Sequence, residues 1–262
     1  MTGKLRIGLL NIMPEAEKYE LSILKLLTHP SINVELVLIK VNNHAYKSSD
    51  KYHLNKHYIS FDKAIENKKL DGLLLTGAPV ETMSFENITY WNELLEIFEY
   101  AHQNVISTLG LCWGGIAIGK YFGIEKTIFT NKIFGVFTSE YLQKQHWMTE
   151  NNISVFNCPQ SRYAGLNETD LSNAAKMNRI RLLAYSDEAG HTIFESTDQR
   201  FVAHLGHPEY DINRILFEYE RDALKKLNLV PSHFNVASPT DNWGESSQNF
   251  FSSWLQMINK KN

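Results

Sequence analysis

The fold of this chain is decided by residues 104–114, which read Asn-Val-Ile-Ser-Thr-Leu-Gly-Leu-Cys-Trp-Gly. The apolar run Val105–Leu111 has the composition of a buried β-strand, and Ile116–Tyr121 suits a helix. Glycines two residues before and two residues after Cys112 allow a sharp turn from strand to helix, which pushes the side chain out at the tip of a sheet. The N-terminus of the helix favours a thiolate there. The pattern predicts a nucleophile, although a single cysteine more often only packs in a core.

Composition places the chain among ordinary globular proteins, and we interpret residues 1–262 as a single domain. The 262 residues are 43% hydrophobic and 21% charged, with a formal net charge of -3. With no basic stripe, neither nucleic-acid binding nor membrane adhesion is favoured. No apolar segment is long enough to span a bilayer, and the first residues do not resemble a signal peptide. Cys112 and Cys158 form no disulfide framework, so we expect a reducing cytoplasm.

Strand-like and helix-like segments alternate in the first half of the chain. The strand-like runs are Leu5–Ile12, Val34–Val41, Leu70–Leu75 and Val105–Leu111, and the helix-like segments are Glu15–Leu27, Phe61–Lys69 and Asn87–His102. Lys47–Ile59 is polar and has no clear periodicity. The alternation predicts an α/β fold with a mainly parallel sheet flanked by helices. Ligands of such sheets bind at the carboxyl ends of the strands, where Cys112 and the turn Gly77-Ala78-Pro79 both fall.

The second half is richer in short β-like segments, which predict a smaller antiparallel portion of the sheet. The strand candidates are Ile153–Asn157, Arg181–Tyr185, His191–Glu195 and Phe201–Leu205. The helix candidates are Asp211–Asn228 and Ser246–Ile258, with the polar loop Asn235–Glu245 between them.

A second chemical motif, Gly206-His-Pro-Glu-Tyr210, follows the last of these strand candidates. A cysteine nucleophile needs a base to take its proton, and the base needs a third group that fixes its tautomer. His207 and Glu209 supply those two types beside Cys112. A lone His-Pro-Glu would more often be a packed histidine and a solvated carboxylate. The two motifs together favour the catalytic interpretation.

Such an elbow followed by His-Pro-Glu resembles the class I glutamine amidotransferase-like fold. Seven motifs, in order over nearly the whole chain, resemble the homoserine O-acyltransferase family of methionine synthesis. The motifs are Asn11-Ile-Met-Pro14, Leu75-Thr-Gly-Ala-Pro-Val-Glu81, Thr89-Tyr-Trp91, Ser107-Thr-Leu-Gly-Leu-Cys-Trp113, Lys132-Ile-Phe-Gly-Val136, Pro159-Gln-Ser-Arg-Tyr163 and Gly206-His-Pro-Glu-Tyr-Asp211. The ordered series is specific evidence where no single motif would be.

The resemblance implies an acyl transfer of the ping-pong type. Cys112 would attack the thioester of an acyl-CoA, His207 would be the general base, and Glu209 would orient His207. The backbone N–H groups of Trp113 and Ala78 are the candidate oxyanion hole.

By motif match, the resemblance also implies that Lys132, Ser161 and Arg221 contact substrate. Arg221 is suited to hold the carboxylate of an amino-acid acceptor through paired hydrogen bonds. Without the resemblance, a surface lysine, a capping serine and a salt-bridged arginine would be the preferred interpretations.

Glu81 carries information about the acyl donor. In the family, glycine at this position goes with succinyl-CoA and glutamate with acetyl-CoA, because a carboxylate repels the second carboxylate of a succinyl group. We therefore expect acetyl-CoA as co-substrate, with no tightly bound cofactor and no metal. The other expected partners are small molecules, and the resemblance suggests a homodimer.

The chain departs from the family at positions that could recognise the acceptor. Ala16 stands where a lysine is usual, Ile116 where glutamine is common, and the cluster Trp243-Gly-Glu-Ser-Ser247 is altered. Some short, divergent members of the family resemble serine O-acetyltransferases, and with these departures we favour L-serine slightly over L-homoserine as acceptor. One methylene is worth only about 1–3 kcal/mol in a fitted pocket, so a few changes could switch the acceptor. The product would enter cysteine or methionine biosynthesis. The alternatives are a homoserine O-acetyltransferase or O-succinyltransferase, then a glutamine amidotransferase, and last a non-enzymatic binding protein.

Overall fold

The computed structural model describes residues 4–149, 154–227 and 229–262, which form nine β-strands and eight α-helices. The strands are β1 (Leu5–Leu10), β2 (Val34–Ile39), β3 (Gly72–Leu75), β4 (Ser107–Leu111), β5 (Lys126–Tyr141), β6 (Val155–Leu166), β7 (Ile180–Ser186), β8 (Gly190–Ser196) and β9 (Phe201–His204). The helices are α1 (Ala16–Leu26), α2 (Lys51–His57), α3 (Phe61–Ile65), α4 (Trp91–Asn104), α5 (Trp113–Tyr121), α6 (Glu168–Lys176), α7 (Ile212–Leu224) and α8 (Gly244–Lys261).

All nine strands belong to one mixed sheet of order β2-β1-β3-β4-β9-β8-β7-β5-β6. The first five strands of this order run parallel to one another, and each of the remaining four pairs antiparallel with its neighbour. The predicted α/β fold, with a parallel sheet and an antiparallel portion in the second half, is confirmed. The antiparallel portion is larger than expected because β5 and β6 form a long hairpin.

Apolar side chains cover both faces of the parallel strands. Leu73 and Leu75 pack with Phe98 of α4 on one face, whereas Leu74 packs with Trp254 of α8 on the other. Alternate residues of a strand point to opposite faces, so a continuous apolar run is what a strand covered on both sides requires. Burial on both faces fixes the positions of the strand ends, where the site lies.

Several elements differ from the sequence-based expectation. The polar segment Lys47–Ile59 contains helix α2, which Asp50 caps by accepting hydrogen bonds from the backbone N–H groups of Tyr52 and His53. The sequence analysis predicts neither helix α6 nor strand β5. Much of the first half of β5 is exposed, so this strand lacks the regular alternation of apolar and polar residues that would have indicated it. Of the predicted bounds, Ile153 and Asn228 lie outside the described residues.

None of the helices in the described ranges has the length and apolar character needed to cross a membrane.

Candidate active site

Cys112 occupies a sharp turn between β4 and α5. Its backbone has φ 50 and ψ −111, a conformation that side-chain-bearing residues rarely adopt. Its N–H donates a 2.8 Å hydrogen bond to the carbonyl oxygen of His204 on the neighbouring strand β9. A Cβ added at Gly110 would lie 2.4 Å from the Gly114 oxygen, and one at Gly114 would lie 2.6 Å from the Leu75 oxygen. The two glycines are therefore required because strand, turn and helix approach one another too closely for any side chain.

His207 lies next to this turn because it follows β9, the neighbour of β4 in the sheet. Its N–H donates to the oxygen of Pro159 over 2.8 Å. Gly77 lies against both groups, since a Cβ added there would be 3.5 Å from Cys112 Cβ and 3.6 Å from His207 Cε1. The carboxyl ends of β3, β4 and β9 thus bring a thiol, an imidazole and a glycine turn together.

The Glu209 carboxylate holds His207 in place. Glu209 Oε1 accepts from Nδ1 of His207 over 2.7 Å, and both side chains are almost completely buried. Burial lowers the pKa of His207, but the charges and hydrogen bonds of Cys112 and Glu209 outweigh burial and keep the pKa well above its ordinary value. The arrangement therefore favours the imidazolium form of His207.

Two tyrosines support this group, and sequence reasoning had assigned neither a role. The Tyr19 hydroxyl donates to Glu209 Oε1 over 2.7 Å. The Tyr210 ring stacks on the His207 imidazole with centroids 4.0 Å apart and planes 20° apart. Tyr210 follows directly after the His-Pro-Glu motif and could have been suspected from that position. Tyr19 gives no local signal, because 190 residues separate it from Glu209.

A cavity of about 200 Å³ opens onto Cys112 and His207. Its wall brings together many of the residues singled out from the sequence, namely Ala78, Glu81, Lys132, Ser161 and Arg221. Glu209 does not line this cavity and contacts His207 from outside it. Trp113 is completely buried and follows Cys112 as the first residue of α5, where a helix has no internal acceptor for its N–H.

Two carboxylates of α7 organise the proposed substrate contacts, and sequence reasoning had missed both. Lys132 Nζ lies 2.7 Å from Asp222 Oδ2 and 3.3 Å from Glu218 Oε2. The Ser161 hydroxyl donates to Glu218 Oε2, and Arg221 donates to Asp222 Oδ1 over 2.8 and 2.9 Å. The signal that could have revealed them is the four-residue spacing of Glu218 and Asp222, which places both on one face of the helix.

Electrostatic interactions keep the Glu218 carboxylate of this cluster ionised. Burial raises the pKa of Glu218, but Lys132 and the Ser161 hydrogen bond outweigh burial and lower the pKa to about 2. Arg214 and Arg221 also lie 3.5 Å from the Glu218 carboxylate. Lys132, Arg214 and Arg221 thus face Glu218 and Asp222, which leaves one positive charge in excess. This excess suits the binding of a small carboxylate at the cavity wall.

Glu81 lies at the rim of the same cavity, in the loop after β3. Its carbonyl oxygen accepts from Lys126 Nζ over 2.9 Å, and the same ammonium also donates to the Met83 oxygen. Lys126 is the first residue of β5, so these two hydrogen bonds attach the loop that contains Glu81 to the start of that strand. The position is compatible with contact to an acyl group that enters over the loop.

Within the described part of the chain, no group of three or more His, Cys, Asp and Glu side chains could hold a metal ion.

The sheet order and the cysteine elbow define the class I glutamine amidotransferase-like fold. The chain aligns over 98% of its length with 99% of a glutamine amidotransferase from Thermotoga maritima, at a TM-score of 0.62 and 13% identity. It also aligns over 98% of its length with 96% of a glutamine amidotransferase from Methylobacillus flagellatus, at a TM-score of 0.57 and 12% identity. At these identities the likeness concerns the fold alone.

Sequence similarity identifies the family to which the chain belongs. The family model for homoserine O-succinyltransferase matches residues 2–262, and the chain belongs to this family of acyltransferases. Over 96% of its length the chain is 37% identical to a homoserine O-acetyltransferase of Clostridium botulinum strain Eklund 17B, of which it covers 83%. Over 95% of its length it is 35% identical to the homoserine O-acetyltransferase of Bacillus subtilis strain 168, of which it covers 84%. These names give no support to the expected preference for L-serine and match its stated alternative, L-homoserine.

Proposed function

We propose that this protein is a homoserine O-acetyltransferase. It would move an acetyl group from acetyl-CoA, through a thioester on Cys112, to the hydroxyl of L-homoserine. The observation that supports this most is the shared cavity of Cys112, His207 and a cationic cluster. A nucleophile, a base and a carboxylate-binding wall are what acyl transfer to an amino acid needs.

In the first half-reaction, the Cys112 thiolate attacks the carbonyl carbon of acetyl-CoA. The tetrahedral intermediate collapses with loss of the CoA thiolate, which takes the proton held by His207. The N–H groups of Trp113 and Ala78 stabilise the oxyanion of that intermediate. One thioester replaces another, so the step is close to isoenergetic. The raised pKa of His207 supports this step, because the imidazolium is the form that donates the proton.

In the second half-reaction, neutral His207 takes the proton of the acceptor hydroxyl, whose oxygen attacks the acetyl-cysteine. The carbon–sulfur bond breaks, the Cys112 thiolate leaves, and the imidazolium is restored. Glu209 keeps the Nδ1 proton in place through both steps, so Nε2 is the nitrogen that exchanges protons. The two half-reactions share one cavity, which is why we infer ping-pong kinetics.

The acceptor carboxylate is bound by Arg221 and Lys132, with Ser161 as a hydrogen-bonding neighbour. The positive charge in excess over Glu218 and Asp222 supports this assignment. We favour homoserine as acceptor because the chain's relatives carry that name, and its product fits methionine biosynthesis. A cytoplasmic location and a homodimer remain predictions.

The assay supplies acetyl-CoA with L-homoserine or with L-serine and follows the release of free CoA. We expect a kcat/KM at least about tenfold higher with homoserine, the value of roughly one fitted methylene. Release of CoA with serine alone would contradict the acceptor assignment. Absence of release with either amino acid, together with glutamine hydrolysis, would replace the proposal by an amidotransferase.

Two cysteine variants test the nucleophile. Cys112→Ser should abolish turnover and the acetyl mass increment on the protein. Cys158→Ser is the matched control, because Cys158 is also free and buried but does not line the cavity. Full activity of Cys112→Ser would contradict the mechanism. His207→Ala should cost about 10²–10⁴-fold in rate, as expected for a positioned general base.

Glu81→Gly tests the donor. Removing the rim carboxylate removes its repulsion of a succinyl group, so the ratio of succinyl-CoA to acetyl-CoA turnover should rise. Glu86→Gly is a suitable control, because this neighbouring carboxylate is fully exposed and lies outside the cavity. An unchanged ratio in Glu81→Gly would remove Glu81 from the donor assignment.

A further inference from the structure

The Glu209 carboxylate has an uneven set of hydrogen-bond partners. Its Oε1 accepts from His207 Nδ1 and from the Tyr19 hydroxyl, each over 2.7 Å. Its Oε2 is buried and has no hydrogen-bond partner among the described residues. Two donors therefore share one oxygen, and each reduces the charge that the oxygen offers to the other.

The Tyr19 hydroxyl stays protonated and therefore remains a hydrogen-bond donor. It comes from α1 and is only 8% exposed. Burial and the adjacent Glu209 raise its pKa well above the ordinary value, so the phenol keeps its proton wherever the enzyme is folded and active.

Tyr19 does not line the cavity that contains Cys112. It lines a neighbouring cavity of about 310 Å³, which lies between α1 and the first turns of α7 and is also bordered by Glu209. A substrate bound at Cys112 is therefore out of its reach. The hydrogen bond to Glu209 is therefore the direct contact through which Tyr19 can act on acyl transfer, beside smaller electrostatic interactions with Tyr210 and Cys112.

We propose that Tyr19 is a positioning residue of the acyl transfer, which restrains the Glu209 carboxylate and limits how strongly that carboxylate stabilises the His207 imidazolium. The effect of Tyr19 on acyl transfer rests on the proposed function, whereas its effect on the titration of His207 does not. The second half-reaction needs neutral His207 to accept the hydroxyl proton. By sharing Oε1, Tyr19 keeps the neutral form of His207 accessible at lower pH.

Loss of the Tyr19 hydroxyl changes the titration of His207 in a defined direction. Oε1 becomes a stronger acceptor, the imidazolium is stabilised, and His207 titrates at higher pH. The other ionisable groups that interact with His207, Glu209 or Tyr19 are Cys112, Cys158, His204, Tyr210, Arg214 and Glu218. Tyr19→Phe leaves all of these in place.

The test measures His207 directly by nuclear magnetic resonance of protein labelled with ¹⁵N-histidine. A Cys112→Ala background removes the coupled thiol, so the imidazole titrates as a single group. Adding Tyr19→Phe should raise the midpoint of His207 by about 0.5–1 pH unit, the scale of one hydrogen bond. The matched control is Tyr58→Phe, because the Tyr58 hydroxyl also donates to a buried carboxylate, Glu20, over 2.6 Å.

The second measurement is the steady-state kinetics of Tyr19→Phe in the protein that retains Cys112. Tyr19→Phe should move the acidic limb of the kcat profile to higher pH and lower kcat at neutral pH by about two- to tenfold. The ratio kcat/KM for acetyl-CoA should not change, because in ping-pong kinetics this ratio reports only the first half-reaction. If the phenylalanine variant fails to fold, 3,5-difluorotyrosine at this position strengthens the donor and should lower the His207 midpoint instead.

An unchanged His207 midpoint in Tyr19→Phe, or an equal shift in Tyr58→Phe, would overturn the inference. Failure of the proposed function would look different. In that case no CoA would be released by the parent protein, while the His207 midpoint would still respond to Tyr19.

Discussion

The buried ammonium of Lys132 makes a strong prediction about stability. Its side chain is 4% exposed and is held by Asp222 and Glu218, whose side chains are equally buried. Lys132→Met keeps the aliphatic stem and removes the charge, which leaves two carboxylates without their nearest cation. Removing one partner of a buried ion pair typically costs about 3–5 kcal/mol. We expect about 3 kcal/mol in the free energy of unfolding, because Arg221 remains beside both carboxylates.

Lys120→Met is the matched control. Lys120 pairs with Glu125, and these side chains are 26% and 60% exposed. An exposed pair contributes about 0–1 kcal/mol because water screens it. Urea unfolding at pH 7 therefore separates a large loss in one variant from a small loss in the other.

The dependence on pH identifies the group responsible. The folded-state pKa of Glu218 is about 2, below its ordinary value of 4.5. Its ionised form therefore adds stability above pH 4.5, and this contribution is lost as the pH falls toward 2. Without Lys132 the pKa of Glu218 rises, so the gap in stability between Lys132→Met and the parent should be constant near neutral pH and narrow as the pH falls from about 4.5 toward 2. A loss no larger than that of Lys120→Met, or a gap independent of pH, would refute the reasoning.

Two further predictions concern the Glu209 carboxylate and the glycine elbow. Glu209→Ala should lose about 10²-fold or more in kcat. Added formate should restore part of this activity, because Glu209 borders an open cavity of about 310 Å³ that formate can enter. A kcat that does not respond to formate would contradict this prediction. Gly114→Ala places a Cβ 2.6 Å from the backbone oxygen of Leu75, so urea unfolding should report a loss of about 1–3 kcal/mol with loss of activity. Gly8→Ala, which meets only side-chain ends, should cost less, and equal losses would count against the steric argument.

Local patterns predicted the parts of the site that local geometry determines. The glycines around Cys112 signalled a turn that no other residue fits, and His-Pro-Glu signalled a histidine hydrogen-bonded to a nearby carboxylate. Both motifs follow strands whose apolar runs are easy to recognise. The approach of Cys112 to His207 then follows from the pairing of β4 with β9, although the two strands are far apart along the chain.

Contacts between distant segments could not be predicted in the same way. Tyr19 and Glu209 are 190 residues apart in sequence, and Ser161 and Glu218 are 57 apart, so only the tertiary fold brings the partners of these two hydrogen bonds together. The choice between serine and homoserine was also beyond the sequence pattern. Family membership rather than motif chemistry favours homoserine.

The order of strands separates two tasks that the chain has to perform. The thiol and imidazole are carried by adjacent parallel strands, whose backbones are joined by the bond from Cys112 N–H to the His204 oxygen. The side chains proposed to bind the acceptor stand on the β5–β6 hairpin and on α7, across the same cavity. Side-chain substitutions at Lys132, Ser161 or Arg221 can therefore change the range of accepted alcohols without removing that backbone bond or the one from His207 N–H to Pro159 of β6. This arrangement makes acceptor choice the more readily evolvable property of the enzyme, and the acyl-transfer chemistry the more constrained one.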